Sequence, residues 1–234
     1  MEVKHNIPMM RILCTGSTGF VGFWLNVTQP KGIDATYLNK AQYQEGEWRK
    51  TRWDAIIHAA LVSPSYALEC TNKLLFISSG AVYEGKSEYA DNKRKWENLC
   101  GDQIIARLFT FIGSHLKNRY AITQFLENAR FGKPLEVWGD GSTVRSYLYG
   151  GDLGTWLWKI LLEGNGVYDV GSFIPVSMIE LARKVLWVTD SKIEFTNPES
   201  PSSVYLPKQT RALELGCRET TSLDSAIWSI LNED

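Results

Sequence analysis

Three side chains in this sequence could move a proton together. Tyr89 and Lys93 stand four positions apart in a helix-compatible stretch, a spacing that puts both on one face of a helix. A tyrosine near its ordinary pKa of ~10 is a poor acid or base at neutral pH. A lysine ammonium one turn away favours the tyrosinate and makes the pair a usable proton shuttle. Ser79 closes the apolar run Leu74 to Ser78, and its hydroxyl could hold an oxygen that changes between alcohol and carbonyl. A tyrosine and a lysine at this spacing also occur as a plain surface pair. The weight lies in the order of the motifs around them.

Ahead of them, Gly16, Gly19 and Gly22 follow one apolar run and open another. Glycines at this spacing allow a tight turn, let backbone approach a pyrophosphate, and let the following helix sit close to the sheet. The helix N-terminus then offers free N–H groups and a positive dipole end to the phosphates. An acidic residue about 20 positions later usually takes the adenosine ribose hydroxyls. Here the segment reads Tyr37-Leu38-Asn39-Lys40. Asn39 can still bond a ribose and Lys40 could pair with a 2′-phosphate, which inclines the expectation to NADP over NAD without deciding it.

The elements that must position these groups alternate in the front half. Met10 to Thr15, Asp34 to Leu38, Ala55 to Ala59, Leu74 to Ser78 and Gln103 to Leu108 read as strands, with helices over Phe20 to Val27 and Tyr89 to Cys100. That alternation predicts a doubly wound parallel sheet. The back half predicts helices over Ile122 to Phe131, from about Asp152 to Glu163, and from a Ser177 cap to about Trp187. Leu135 to Trp138 and Val167 to Val170 read as strands, Asn197 to Ser203 as a Pro/Ser loop, and Ser222 as the cap of a last helix.

Composition narrows the class. In 234 residues, 44% are hydrophobic and 22% charged, with 25 Lys plus Arg against 26 Asp plus Glu. This is an ordinary globular balance, with no global charge to draw nucleic acid or an anionic membrane. Cys14, Cys70, Cys100 and Cys217 form no C-x-x-C pair, and His5, His58 and His115 are equally scattered. Reduced thiols in a cytoplasmic protein are expected, with no metal site. No leader is expected at the N-terminus, where Met1 to Met9 reads as an extension, and no apolar run reaches the ~20 residues of a membrane span.

Taken in order, these motifs resemble those of extended short-chain dehydrogenases/reductases, in the NAD-dependent epimerase/dehydratase group that acts on nucleotide sugars. Gly16, Gly19 and Gly22 match GxxGFxG, Asp54 to Ala60 matches that family's DAIIHAA-like strand, Ser79 lies four before Tyr83 as in SSxxVY, and Tyr89 and Lys93 match YxxxK. Arg107-Leu108-Phe109 matches the following strand, and Gly139 to Asp152 resembles GDGxxxRxxxxVxD. Gly166 to Gly171 and Met178 to Ala182 fit later motifs.

The resemblance implies a Rossmann-type α/β fold. A dinucleotide-binding part would span 1–118, and a smaller α/β substrate-binding part 119–234, with segments returning to the first. It implies Ser79, Tyr89 and Lys93 as catalytic residues. Gly16, Thr18, Gly19, Phe20, Val21 and Gly22 would bind NAD or NADP, together with Asn39, Lys40, His58, Ala59, Ala60 and Ser78. Ser79, Thr110 and Arg145 would bind a nucleotide sugar, with Arg145 as the planar fork for its diphosphate. The activity implied is epimerisation or reduction at a hydroxyl/keto carbon, because Gly80-Ala81 replaces the Asp-Glu pair of the 4,6-dehydratases. A reductase of a non-sugar carbonyl and a non-catalytic cofactor-binding member are the alternatives. The family's homodimer is built on a long helix that the 13-residue link from Leu61 to Lys73 has no room for; a homodimer through the usual interface is therefore in question.

Overall fold

The computed structural model describes residues 9–117, 120–189 and 191–232. Residues 1–8 of the N-terminal extension, with His5, and the 118/119 boundary lie outside the described residues. The chain starts with β1 (Met10–Thr15), α1 (Phe20–Val27), β2 (Ile33–Leu38) and a six-residue α2 (Lys40–Glu45). Then come β3 (Ala55–His58), α3 (Ser65–Cys70), β4 (Leu74–Ser79), α4 (Glu88–Cys100) and β5 (Ile104–Leu108). The short link after β3 thus holds one six-residue helix.

A two-residue β6 (Phe111–Ile112) leads into α5 (Ala121–Arg130) and β7 (Leu135–Trp138). The pairs β8 (Val144–Arg145) and β9 (Leu148–Tyr149) precede α6 (Gly150–Glu163), β10 (Val167–Val170) and β11 (Val176–Ser177). The chain closes with α7 (Met178–Leu186), β12 (Ile193–Thr196), α8 (Arg211–Glu214) and α9 (Leu223–Leu231).

Six strands form a parallel sheet in the order β10-β5-β4-β3-β1-β2. Their residues alternate between two cores, as the pleat requires. Ile12, Cys14, Ile57 and Ile77 face α1 and α6, while Leu13, Ile56 and Phe76 face Tyr43, Trp48 and Cys100 on the other side. Buried on both faces, the central strands are near-continuous apolar runs. Helices α1 and α6 approach closely because Gly154 has no side chain: a Cβ there would lie 2.3 Å from Thr28 Oγ1.

The back half supplies both a second core and part of the first. Ile122, Phe125, Leu135, Met178, Leu181 and Ile227 pack into a separate cluster over α5, α7 and α9. Val167–Val170, from the same half, instead completes the edge of the main sheet beside β5. Small two-stranded ribbons, β11-β8, β12-β7 and β6-β9, tie the second cluster together. Among the described residues, no helix is long and apolar enough to cross a membrane.

Candidate active site

In this strand order β1 connects outward to β2, and the chain then returns to β3 on β1's other side. The crevice at the C-terminal ends of β1 and β3 is therefore the switch point at which doubly wound sheets take ligands. The glycine turn fills it. Gly16 has φ +79, and a Cβ on it would meet the Ala59 carbonyl carbon at 2.9 Å; a Cβ on Gly22 would lie 2.4 Å from Gly16 O. Gly19 is the N-cap of α1, and no side chain caps that helix. Its first N–H groups are thus left for an anion rather than for a serine or aspartate cap.

From this turn a cavity of about 1130 Å³ runs across the sheet ends. Gly16, Gly19, Phe20, Val21 and Ala59 line one end, Ser78, Ser79, Tyr89 and Lys93 the middle, and Thr110 and Arg145 the far side. Eleven of the residues expected to bind or react therefore share one space, although they come from six separate stretches of chain.

The middle is built by β4 and α4. Ser79 ends the strand and caps the 3₁₀ turn Gly80–Val82, its Oγ accepting the Ala81 N–H at 3.2 Å. Ser87 caps α4 by accepting from Ala90 N, so the helix starts one turn ahead of Lys93 and presents Tyr89, 46% exposed, to the cavity. Lys93 is 2% exposed, and its Nζ donates to Ile77 O at 2.7 Å, with 5.9 Å to the centre of the Tyr89 ring. Burial pulls the Lys93 ammonium down to about 8, against the opposing pull of the Glu97 carboxylate one turn on. Glu97 is itself engaged: Arg107 grips it at 2.7 and 3.0 Å, and Ser78 Oγ donates to it at 2.5 Å. Lys93 is a buried cation whose counter-charge is shared with Arg107.

At the far side, Arg145 Nη1 donates to Val144 O and Ser203 O, and Nη2 to Ser203 Oγ at 3.0 Å. All three partners are neutral, so its charge is not cancelled by a carboxylate among the described residues. Burial lowers its pKa from the usual guanidinium value, and the fork still carries full charge near neutral pH.

Other expected residues lie elsewhere. The His58 ring is buried, Nδ1 taking the Thr15 hydroxyl at 3.2 Å and Nε2 donating to Val62 O at 3.1 Å. Burial drives its pKa down to about 4, so it is a neutral core histidine, and only its neighbour Ala59 reaches the cavity wall. Ala60 bonds Thr15 through its backbone N–H. Asn39 caps α2, with its Oδ1 accepting Gln42 N while Gln42 Oε1 accepts the Asn39 N–H. Lys40 is exposed on the first turn of that helix, and neither residue lines the cavity. Thr18 and Gly22 belong to the turn without lining it.

Sequence reading missed Phe109, His115, Tyr147 and Tyr205, all on the wall. None carries a local signal, since each arrives from a loop or a two-residue strand. Among the described residues, no group of three or more His, Cys, Asp or Glu side chains is placed to hold a metal ion.

Residues 25–171 match the model of the NAD dependent epimerase/dehydratase family, a span that starts just after the glycine turn. UDP-glucuronic acid decarboxylase 4 of Arabidopsis thaliana is 32% identical over 145 residues, covering 56% of this chain and 32% of that protein. A dTDP-glucose 4,6-dehydratase of Neisseria gonorrhoeae is 27% identical over 132 residues, 52% of this chain and 37% of that protein. The chain thus spans about a third of the length of the curated relatives it matches. Among solved structures, UDP-N-acetylglucosamine 4-epimerase from Bacillus cereus superposes with a TM-score of 0.80 at 17% identity, covering 96% of this chain and 98% of that one. RMD from Pseudomonas aeruginosa, complexed with NADPH, gives 0.78 at 20% identity, with 95% and 98% covered. At these identities the superpositions show the shared fold.

Proposed function

The chain belongs to the NAD dependent epimerase/dehydratase family, and from that premise we propose that it oxidises or reduces a hydroxyl/keto carbon of a nucleotide-linked sugar with a nicotinamide dinucleotide. One observation carries the reading. A single cavity has a glycine backbone turn at a helix start at one end, a Ser/Tyr/Lys cluster in the middle and an uncancelled arginine fork at the other.

The residues present fit the cofactor. Side chains on Gly16 or Gly22 would collide with backbone, and the uncapped α1 start faces the place a pyrophosphate would take. A dinucleotide held there would supply a nicotinamide ring as reversible hydride acceptor for the sugar carbon. Tyr89 removes the hydroxyl proton as that carbon becomes a ketone. Lys93, buried one turn away, stabilises the phenolate form from which Tyr89 takes that proton. Ser79 donates to the reacting oxygen. Arg145 binds the sugar's diphosphate, where two parallel N–H bonds give both strength and direction. NAD or NADP would serve, as structures in this fold include complexes with each.

Epimerase or keto-reductase chemistry is favoured over 4,6-dehydration by Gly80. A Cβ there would fall 2.5 Å from the Phe109 ring, so the turn after Ser79 has no room for an acidic side chain. The test is a panel of nucleotide sugars with NAD or NADP, read by nicotinamide absorbance and product stereochemistry. Turnover of at least one sugar without loss of water is expected. A chain that binds neither dinucleotide would overturn the reading.

A further inference from the structure

Tyr205 lies in a stretch that crosses the cavity wall between β12 and α8. That strap is pinned on both sides of it. Tyr205 N donates to Val144 O at 3.1 Å and Val144 N to Ser203 O at 2.8 Å. Further on, the backbone N–H groups of Lys208 and Gln209 both donate to Asp169 Oδ2, at 2.7 and 3.1 Å. The buried Asp169 carboxylate also accepts the Tyr83 hydroxyl at 3.0 Å.

Held this way, the Tyr205 ring packs against Phe109 with 4.9 Å between centres and lies under Arg145 at 5.9 Å. Its hydroxyl reaches the turn after β4, and a Cβ on Gly80 would sit 2.8 Å from Tyr205 Oη. Gly80 is therefore the space into which this phenol fits. Ser79 Oγ has a lone pair committed to the Ala81 N–H, and Ser79 lines the same cavity as Tyr205, whose phenol reaches the adjoining Gly80.

We propose that Tyr205 is a positioning residue for Ser79, its phenol donating to the serine oxygen's remaining lone pair and so fixing the rotamer in which the serine's own proton faces the reacting oxygen. A serine hydroxyl otherwise rotates freely among staggered positions. The Ala81 N–H fixes one side of Ser79 and Tyr205 the other. The same strap braces Arg145 through Ser203, so the group for the diphosphate and the group for the reacting oxygen are held by one piece of chain. This role rests on the reaction proposed above.

Two measurements decide it. In the chain without cofactor, Tyr205→Phe keeps the ring packing and removes the hydroxyl, and should lower Tm by about 2–4 °C. Added to Ser79→Ala it should lower Tm no further; additive losses would show that the two hydroxyls do not interact and would overturn the contact. In turnover, Tyr205→Phe should lower kcat about tenfold with KM held within about twofold. A raised KM at unchanged kcat would make Tyr205 a direct substrate contact instead, and no change in either would leave it without a role; both overturn the proposal. Should the parent chain turn over no nucleotide sugar, the reaction falls and the positioning role with it, while the stability cycle still decides the contact.

Discussion

The two ends of the cavity are made of different material. At the glycine end the wall is main chain: Gly16, Gly19 and Ala59 stand where two central strands stop, and the sheet hydrogen bonds fix them. At the Arg145 end the wall is side chain, carried by two-residue strands and a strap held by single hydrogen bonds. A backbone wall can recognise only what all dinucleotides share, a pyrophosphate at a helix start. A side-chain wall can be altered one residue at a time without disturbing the sheet. The contrast teaches where a shared cofactor site and a variable substrate site belong in such a fold.

Substitutions can break or sharpen that contrast. The largest effect is expected at the junction of the two ends. Tyr89→Phe should lower kcat by about 100- to 10,000-fold while leaving dinucleotide binding, measured by titration, unchanged. Loss of dinucleotide affinity would mean that the middle belongs to the cofactor end. Next comes Arg145→Met, which should raise KM for a nucleotide sugar about 10- to 100-fold. Arg145→Lys should recover only part of that, because an ammonium lacks the planar fork. A fall in kcat alone would place Arg145 in the chemistry rather than in binding.

The smallest effect on turnover, and one confined to stability, concerns the core beneath the glycine end. The folded chain keeps His58 neutral down to about pH 4, whereas the unfolded chain protonates it near 6.5. Stability is therefore intact above about pH 6.5 and is lost as pH falls towards 4, by up to about 3 kcal/mol. Denaturant unfolding across that range should show the loss, and His58→Gln should flatten it. An unchanged slope in that variant would remove His58 as the cause.

The parts of the site that could be read in the sequence are those whose geometry is local. Tyr89 and Lys93 are neighbours on one helix, and Gly16 to Gly22 is one turn. The strands and helices around them emerged at nearly their observed bounds because long apolar runs and caps such as Ser177 and Ser222 are strong signals. The two-residue strands β6, β8, β9 and β11 were invisible, being shorter than any hydrophobic period. Asn39 had a second legible meaning: Asn39-x-x-Gln42 is a capping box, and its side-chain oxygen is taken by the helix. His58 follows Ile56 at strand period and shares its face, against Tyr43 and Phe76. Tyr205 could not be found by any such rule. Its meeting with Ser79 depends on Asp169, Val144 and Ser203, which come together only in the folded chain.

One strand also orders events during synthesis. The edge of the main sheet is β10, and it pairs with β5 across some sixty intervening residues, which supply half of the buried residues of the second cluster. A ribosome must therefore release the chain past Val170 before the sheet that carries the glycine turn can be completed. Until then β5 is an unpaired edge of apolar residues, open to pairing with another chain. The vulnerable interval in the life of this protein is the one between the emergence of Leu108 and that of Val170.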